Sequence, residues 1–262
     1  MREANRIVAD TLVLLADQAH PGVTTRELDD LATEHVLSRG AKPSFPLVNF
    51  DGTICISINN EIVHGIPGKR VLRAGDIVSL DLGVTYNGWH GDAAITVPVG
   101  SVSPEAQRLL AVTARALALA IAQVRPGGHL YDVSGAVEDY ITQERLGLVR
   151  QYVGHGIGRN MHEEPQVPNY RPSQGGRGPV LRPGIVIAIE PMVNLGSGET
   201  VALDDGWTVV TKDSSLSAHF EHSVAVTAKG YEILSRPSDV SRMWSDPVEY
   251  GLAHPASLEK FG

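Results

Sequence analysis

"LRPGIVIAIEP", residues 181–191, passes from a Pro-Gly turn into an apolar strand that ends in Glu190. "LRAGDIVSLDL", residues 72–82, repeats the pattern, because Leu-Arg-x-Gly again leads into an apolar strand and Asp81 stands where Glu190 stands in the later copy. A carboxylate buried without a partner costs several kcal/mol or takes up a proton. Two strands that each carry such an acid raise the question of what compensates their charge.

The helical segments repeat in the same order. "HPGVTTRELDDLATEHV", residues 20–36, is echoed by "RPGGHLYDVSGAVEDYI", residues 125–141, so that Leu28 aligns with Val133. This offset nearly equals that of the two strand copies, which predicts an internal duplication. Two helices followed by two strands, twice over, predict an α+β fold whose pseudo-symmetric halves face each other across a shared cleft.

Apolar periodicity places the elements of the first half and the start of the second. Helices are predicted over residues 4–17, 25–40 and 104–124, and strands over residues 53–58, 62–63, 77–84 and 92–99. Asn87-Gly88, between two alternating runs, predicts a tight hairpin turn. Thr24 and Glu27 have the spacing of a capping box.

The domain organisation follows from the repeat. We expect one catalytic domain over residues 1–238, with halves at about 1–100 and 101–235. Residues 165–184, rich in Pro and Gly, are predicted to form a long surface loop. Irregular structure is predicted from residue 236 onward, with a C-terminal tail over residues 239–262.

The composition argues against nucleic-acid and membrane binding. The 262 residues are 42% hydrophobic and 20% charged, with a formal net charge of −8, whereas nucleic-acid-binding surfaces concentrate Lys and Arg. Cys55 is the only cysteine, which excludes an intrachain disulfide and favours a reducing compartment. No apolar run approaches the roughly 18–20 residues that span a bilayer. We therefore expect a cytoplasmic protein with no nucleic-acid or membrane partner.

Four acids lie in or beside apolar strands: Asp81, Asp92, Glu190 and Glu221. Each predicted half supplies one acid from each of two paired strands, and we expect the four to occupy symmetry-equivalent places. Their mutual repulsion needs compensation, for which Arg or Lys partners, shared protons and metal ions are the candidates. The strands carry no Lys or Arg next to these acids, so metal is favoured.

The stretch "GHGIG" adds His155, a neutral nitrogen donor between glycines whose backbone can approach closely. Four carboxylates balance the charge of two divalent cations. A carboxylate-rich set with one imidazole suits Mn, Fe, Co or Mg better than structural zinc. Two ions about 3.5–4 Å apart can hold a bridging water or hydroxide and stabilise an oxyanion. The sequence therefore predicts a hydrolytic two-metal site.

Other histidines and motifs bear on the chemistry. His64 in "VHGIP" and His162 in "MHEEP" are predicted to donate hydrogen bonds to a substrate amide or carbonyl. His90, His219 and His222 are assigned structural roles, although a histidine beside a metal ligand can support that ligand. There is no G-x-S-x-G motif, and "HEEP" lacks the second histidine of a zinc-protease helix.

A series of motifs, in order along the chain, resembles those of the type I methionine aminopeptidases: "ICISINNEIVHGIPG", "GDIVSLDLGV", "WHGDAA", "GHGIGRNMHEEPQV", "IEPMVN" and "DGWTVVTKDSSLSAHFEHSVAVT". The resemblance covers about residues 4–235. It implies the pita-bread (creatinase/aminopeptidase-like) fold, with two αα-ββ halves around a curved antiparallel sheet. It also implies metal-dependent removal of the N-terminal methionine from nascent proteins whose second residue is small.

The resemblance implies roles for individual residues, carried over position by position. Five residues would be the ligands of two divalent ions such as Mn, Fe or Co: Asp81, Asp92, His155, Glu190 and Glu221. Asp92 and Glu221 would bridge the ions, and Glu190 would also act as the general base. His64 would contact the scissile amide nitrogen, and His162 the carbonyl oxygen.

The methionine side chain would enter an apolar pocket at four matching positions: Phe50, Cys55, Met161 and Trp207. Here the sequence departs from the family pattern. Met161 stands where an aromatic residue is common, and Leu47 and Ser44 occupy places often given to Tyr and Cys. These changes leave the implied catalytic residues intact and alter the shape of the pocket.

Two alternative functions remain open at the level of sequence. A proline-specific peptidase such as an aminopeptidase P or prolidase relative would share the fold, but such proteins usually carry an additional N-terminal domain for which we expect no room in this chain. A pita-bread protein that has lost its metal site would act as a binding module, but all five ligand types are present. We expect a monomer whose partners are nascent peptide N-termini, with the ribosome as a candidate partner.

Overall fold

The computed structural model describes residues 1–242, and the elements below lie in that part of the chain. The α-helices are α1 (Arg2–Gln18), α2 (Thr25–Ser38), α3 (Pro104–Ile121) and α4 (Leu130–Glu144). The β-strands are β1 (Lys42–Pro43), β2 (Cys55–Ile58), β3 (Glu61–Val63), β4 (Ile77–Tyr86), β5 (Trp89–Pro98), β6 (Gly147–Leu148), β7 (Gly154–Gly156), β8 (Glu163–Val167), β9 (Val186–Ile189), β10 (Met192–Asn194), β11 (Thr200–Ala202), β12 (Val209–Thr211), β13 (Ser217–His219), β14 (Glu221–Val226) and β15 (Tyr231–Ile233). Short 3₁₀ helices span Phe45–Val48 and Val240–Arg242.

A nine-stranded antiparallel sheet organises the molecule. Its main path runs β1-β4-β5-β14-β9-β7-β8, with β2 paired to β4 and β15 paired to β14. Strands β4 and β5 form the predicted hairpin, in which Tyr86 pairs with Trp89 across the Asn87-Gly88 turn. Both turn residues have positive φ, 49° and 72°, as a two-residue turn with the twist of the flanking strands requires. Strands of the two halves meet where β5 pairs with β14.

The predicted duplication is visible in the backbone hydrogen bonds that tie each helical pair to its strands. The N–H of Gly22 donates to the carbonyl of Leu72 at 2.9 Å, and the N–H of Gly127 donates to that of Leu181 at 2.8 Å. Each of these bonds joins the turn before the second helix of its half to the segment that enters the sheet. The repeated sequence therefore builds the same local structure twice.

Equivalent bonds also fix the strands. The N–H of Gly75 donates to the carbonyl of Val99 at 2.9 Å, and the N–H of Gly184 donates to that of Val226 at 3.0 Å. These bonds lie at the outer ends of the two strand pairs, β4 with β5 and β9 with β14. They provide a common origin from which positions in the two halves can be matched.

Capping boxes begin the second helix of each half. The Thr24 side chain accepts from the backbone of Glu27, whose carboxylate accepts from the Thr24 backbone, as the sequence predicts. His129 and Asp132 form the corresponding box at the start of α4. Because such boxes satisfy N–H groups that a helix leaves unpaired, they fix where α2 and α4 begin.

One face of the sheet is covered by helices. Val78, Leu80, Leu82 and Val84 on β4 are 0% exposed and belong to the core that α1 completes. Gly91 on β5 permits the close approach of α1, because a Cβ there would lie about 2.6 Å from backbone atoms of Ala4 and Asn5. Side chains alternate along a strand, so Asp81 points to the opposite face. The functional residues lie on that opposite face.

Some predicted boundaries differ from the observed ones. The strand predicted over residues 53–58 begins at Cys55, because the N–H groups of Thr53 and Ile54 donate to the buried carboxylate of Asp29. The loop predicted over residues 165–184 begins later, since β8 extends to Val167 and pairs with β7. The helix predicted over residues 104–124 ends at Ile121.

The C-terminal tail falls mostly outside the described residues. Residues 240–242 form the second 3₁₀ helix, and residues 243–262 lie outside the described part of the chain. The predicted boundary near residue 238 stays a prediction. Within residues 1–242, no helix has the length and apolar character needed to cross a membrane.

Candidate metal centre and substrate pocket

The acids of the first half and one acid of the second are brought together by strand register. Asp81 on β4 is paired with Ala94 on β5, and Ala94 is paired in turn with Glu221 on β14. Residues directly opposite each other in a sheet project from the same face. Asp92, two residues before Ala94 on β5, shares that face.

Glu190 completes the set from the end of β9. The register that pairs Ile189 with His222 continues unchanged to Met192 and His219, so Glu190 lies opposite Glu221. Asp81, Asp92, Glu190 and Glu221 all line one cavity. The structure therefore brings together the four acids that the sequence singles out.

Their predicted symmetry is only partly correct. Counted inward from the bonds of Gly75 with Val99 and of Gly184 with Val226, Asp81 and Glu190 occupy equivalent places. Asp92 corresponds to His219, which pairs with Met192 as Asp92 pairs with Gly83. Glu221 corresponds to Ala94. The expectation of four equivalent acids was wrong for the acids on β5 and β14, because a strand's sequence does not fix its register with a distant partner.

His155 reaches the acids from β7. The neighbouring glycines let this short strand lie between β8 and β9, because a Cβ at Gly154 would collide with the carbonyl of Ala188 and one at Gly156 with that of Glu164. Nδ1 of His155 lies 2.9 Å from the carbonyl oxygen of Gly156. A proton on Nδ1 donates to that oxygen and leaves the lone pair of Nε2 for a metal ion.

Nε2 of His155 faces the carboxylates. It lies 3.7 Å from Oδ2 of Asp92 and 3.7 Å from Oε1 of Glu190. Burial lowers the pKa of His155 to about 4, so the ring is neutral near pH 7. A neutral imidazole is the form that ligates metals.

The acids repel one another in a buried site. Burial raises the pKa of Asp81 to about 7. Burial, reinforced by the other carboxylates, also raises the pKa values of Asp92, Glu190 and Glu221 well above their ordinary range. Within residues 1–242, Oδ1 of Asp92 and Oε1 of Glu221 are buried without a hydrogen-bond partner. Such groups call for a compensating charge.

A divalent cation fits this donor set. Asp92, His155 and Glu221 each offer one ligand atom, and these atoms lie within 4.8 Å of one another. The buried and unpaired carboxylate oxygens would gain a positive partner, and a cation would lower the raised pKa values of the acids. Of the candidates that the sequence leaves open, a metal accounts for the oxygens without partners as well as for the charge.

An apolar chamber adjoins the acids. The shared cavity of about 280 Å³ is lined on its apolar side by Phe45, Val48, Phe50, Cys55, Met161 and Trp207. The rings of Phe50 and Trp207 pack edge to face with centroids 5.2 Å apart, as do those of Phe45 and Phe50 at 5.9 Å. Because ligand pockets commonly occupy about 300–1,000 Å³, this chamber suits a single side chain.

Gly83 gives the chamber part of its space. A Cβ on Gly83 would lie 2.6 Å from Cε of Met161 and 3.3 Å from the ring of Phe45. Gly83 faces the site because it pairs with Asp92. The absence of a side chain on β4 therefore leaves room for the flexible Met161 thioether.

The predicted pocket residues all line the cavity, and two others were missed. Phe45 and Val48 come from the 3₁₀ helix that follows β1, and their apolar run "FPLV" next to Phe50 was the available signal. Leu47 instead points outward, with 68% of its surface exposed. Ser44 is buried, with Oγ 2.9 Å from Nδ1 of His90.

Cys55 joins the apolar and acidic sides of the cavity. It lies on β2 directly opposite Asp81. Burial, with a smaller effect of Asp81 and Asp92, raises the pKa of its thiol well above the ordinary value. A thiol that stays protonated behaves as a small apolar group, which suits the wall of the chamber.

His64 and His162 both line the cavity. The His64 ring packs edge to face against Tyr152 and Trp207, with centroids 6.0 and 6.2 Å away, and its backbone has a φ of 61°. The His162 ring centroid lies 4.3 Å from that of His155. Burial lowers the pKa of both residues, which favours neutral imidazoles lining the cavity.

The histidines that were assigned structural roles differ from one another. His222 is buried, with Nδ1 2.7 Å from Oγ of Ser235. His219 is also buried, but Nε2 lies 3.7 Å from Oε2 of Glu190. Burial lowers the pKa of both rings to about 3. His219 therefore lies at the site, whereas His222 does not contact it.

Comparison with known proteins agrees with this geometry. Residues 1–228 match metallopeptidase family M24. The chain belongs to this family. Methionine aminopeptidase 1 of Bacillus subtilis (strain 168) is 49% identical over 237 residues, which cover 90% of this chain and 95% of that protein. The predicted resemblance and the prediction of a metal-dependent peptidase are thus confirmed.

Solved structures of family M24 proteins confirm the fold. The methionine aminopeptidase from Rickettsia prowazekii superimposes with a TM-score of 0.86 at 42% identity, covering 90% of this chain and 95% of that one. The prolidase from Pyrococcus furiosus aligns with a TM-score of 0.72 at 22% identity, covering 90% of this chain and 62% of that one. The second likeness shows the pita-bread fold alone.

Proposed function

We propose that this M24 protein removes the N-terminal methionine from peptides whose second residue is small. The observation that carries the proposal is the apolar chamber of Phe45, Phe50, Cys55, Met161 and Trp207 opening directly onto the buried acids. A chamber for one apolar side chain, closed by aromatic rings, fits an unbranched thioether. The bond next to that residue then lies beside the candidate metal centre.

We propose two divalent ions of the Mn, Fe or Co kind as the cofactor. Asp81, Asp92, His155, Glu190 and Glu221 would hold them. The charge of four buried carboxylates supports a total of four positive charges. Such ions supply Lewis acidity, which makes water nucleophilic near neutral pH and polarises a carbonyl oxygen.

The remaining chemistry is assigned to protein groups. Glu190 takes the proton of the attacking water and later delivers it to the leaving amine. It lines the cavity from the end of β9, opposite Glu221. Because the site is buried, these proton transfers occur away from bulk water.

Two histidines are placed to orient the peptide. The His64 ring lines the cavity and packs against Trp207, and one of its nitrogens accepts from the scissile amide N–H. His162, whose ring lies beside that of His155, donates its N–H to the peptide carbonyl oxygen. Hydrogen bonds that strengthen as charge develops on that oxygen lower the barrier.

A peptide assay tests the proposed function. Purified protein is incubated with a Met-Ala-Ser peptide and with an X-Pro peptide, each with added Mn²⁺ and with a chelator. Methionine release only in the presence of metal is the expected result. Cleavage of the X-Pro peptide would support a proline-specific peptidase instead, and inactivity towards both peptides would support a binding role. Metal analysis of the protein as isolated identifies the ion and its stoichiometry.

We further propose that the protein works as a cytoplasmic monomer on nascent chains, with the ribosome as a candidate partner and with no nucleic-acid or membrane partner. The single, buried Cys55 and the net charge of −8 support this placement. Fractionation of cells, with sedimentation of the protein in the presence of ribosomes, tests both points. Recovery in a membrane fraction or as a stable dimer would contradict the proposal.

A further inference from the structure

His219 occupies a place in the second half that an acid holds in the first. It ends β13 and pairs with Met192, as Asp92 pairs with Gly83. Counted from the equivalent bonds at the ends of the strand pairs, His219 is the counterpart of Asp92. Although β13 belongs to a separate three-stranded sheet with β10 and β6, the imidazole of His219 reaches the candidate metal ligands, with Nε2 3.7 Å from Oε2 of Glu190.

The two oxygens of Glu190 lie between two imidazoles. Oε1 lies 3.7 Å from Nε2 of His155, and Oε2 lies 3.7 Å from Nε2 of His219. His155 is a proposed ligand, so the first contact marks the side of Glu190 that faces the metal. The second contact marks the opposite side of the same carboxylate.

The ring of His219 is buried, and within the described residues its nitrogens have no hydrogen-bond partner. The residue is 1% exposed. An unpaired buried polar group costs about 1–3 kcal/mol, and such groups in native proteins are few. Oε2 of Glu190 lies 3.7 Å from Nε2 of His219, beyond the usual limit of about 3.2 Å for a hydrogen bond.

We propose that His219 is a positioning residue that donates its Nε2–H to Oε2 of Glu190 when metal is bound, and so directs Oε1 to the metal. A small rotation of the Glu190 carboxylate closes the distance. Mutation of a residue that hydrogen-bonds to a metal ligand and orients it commonly lowers metal affinity by about 10–100-fold. The inference rests on the proposed function only in taking Glu190 as a metal ligand.

Metal titration of variants tests the proposal without a peptide. Mn²⁺ is titrated by calorimetry into the metal-free wild type and into His219→Gln, His219→Met and His222→Gln. His219→Met, which has similar volume and no donor, should weaken the tightest Mn²⁺ binding by about 10–100-fold. His219→Gln retains an N–H and should stay within about threefold of the wild type. His222→Gln, an equally buried control, should bind Mn²⁺ as the wild type does. Wild-type affinity in a folded His219→Met variant would overturn the proposal.

A measurement on the wild type covers the case in which His219→Met fails to fold. With ¹⁵N-labelled histidine and diamagnetic Zn²⁺ as the probe ion, NMR identifies the protonated ring nitrogen of His219 in the loaded protein. A proton on Nε2 that is protected from exchange is expected, and a proton on Nδ1 alone would refute the hydrogen bond. Neither measurement depends on methionine release, so failure of the peptide assay and failure of this inference are separate outcomes.

Discussion

In the first half of the sheet, the two acids are staggered: Asp81 pairs with Ala94, and Asp92 pairs with Gly83. In the second half, Glu190 lies directly opposite Glu221 in the register that joins β9 to β14. Equivalent backbone hydrogen bonds therefore support different arrangements of side chains. The duplication repeats the backbone hydrogen bonds, while single positions along β5, β13 and β14 decide which residues reach the metal site.

The connections of the two halves differ as well. A two-residue turn joins β4 to β5, whereas residues 190–220, with β10 to β13, separate β9 from β14. That longer connection carries Trp207 into the pocket and His219 to Glu190. The first half contributes the hairpin and the pocket residues Phe45, Val48, Phe50 and Cys55, and the second half contributes Met161 and Trp207.

The largest expected effect tests whether the reaction needs the acids of both β5 and β14. Asp92→Asn and Glu221→Gln should each lower kcat/KM for a Met-Ala-Ser peptide by at least about 10³-fold. Each variant removes a charged ligand from the metal centre, and such a centre stabilises the transition state by several kcal/mol. Since each change also relieves repulsion, the metal-free variants should unfold at a higher temperature than the metal-free wild type. Glu199→Gln, which removes an exposed second-half acid paired with Lys212, is the control. Retained turnover in either site variant would mean that the reaction does not need acids from both β5 and β14.

The next effect concerns pH and compares metal-free with metal-loaded protein. The pKa of Asp81 is raised from its ordinary value of 3.8 to about 7, so the folded metal-free protein holds a proton that the unfolded chain releases. Stability of the metal-free protein should therefore fall as pH rises from about 4 to about 7. Bound cations favour the ionised carboxylates and oppose that fall.

Thermal unfolding at several pH values, with Mn²⁺ or with a chelator, measures this difference. The gap in Tm between the loaded and metal-free forms should widen steadily from about pH 5 to about pH 8. Asp81→Asn should reduce the pH dependence of the metal-free form without abolishing it, because the pKa values of Asp92, Glu190 and Glu221 are raised as well. A gap that narrows over this range would show that the acids are compensated by something other than a cation.

A smaller effect is expected at Gly83, whose counterpart in the second half is Met192. It tests whether the missing side chain of Gly83 gives the chamber its space. Gly83→Ala places a Cβ 2.6 Å from Cε of Met161 and narrows the chamber. Overpacking of this kind costs about 1–3 kcal/mol, so KM for the methionine peptide should rise about tenfold or more while kcat changes little. Gly68→Ala, where a Cβ would meet open space, is the control. An unchanged KM would mean that the chamber does not bind the methionine side chain.

The smallest effect tests the hairpin itself. Gly88 has a φ of 72°, and an L-residue in that region costs about 1–2 kcal/mol. Gly88→Ala should therefore lower Tm by a few degrees and leave kcat/KM unchanged, since neither turn residue lines the cavity. Asn87→Gly keeps the turn free of side-chain strain and should leave Tm close to that of the wild type. Loss of activity in Gly88→Ala would mean that the turn also sets the position of Asp92.

Much of the site followed from local sequence signals. The strands with Asp81 and Glu190, the glycines around His155 and the Asn87-Gly88 turn each have a pattern with a physical cause, and each is found as expected. The family resemblance supplied Cys55, which lines the pocket opposite Asp81. Phe45 and Val48 escaped notice because nothing local distinguishes a pocket wall from an ordinary apolar turn.

The amino-acid sequence by itself determined the elements, their duplication and the acids that had to be compensated, because periodicity, caps and turns act within a few residues. Only the tertiary structure decided which positions of β5 and β14 face each other, and therefore that His219, and not Glu221, is the counterpart of Asp92. Register between strands distant in sequence is set by the packing of whole faces and by the connections that deliver the strands, and those interactions have no local signature.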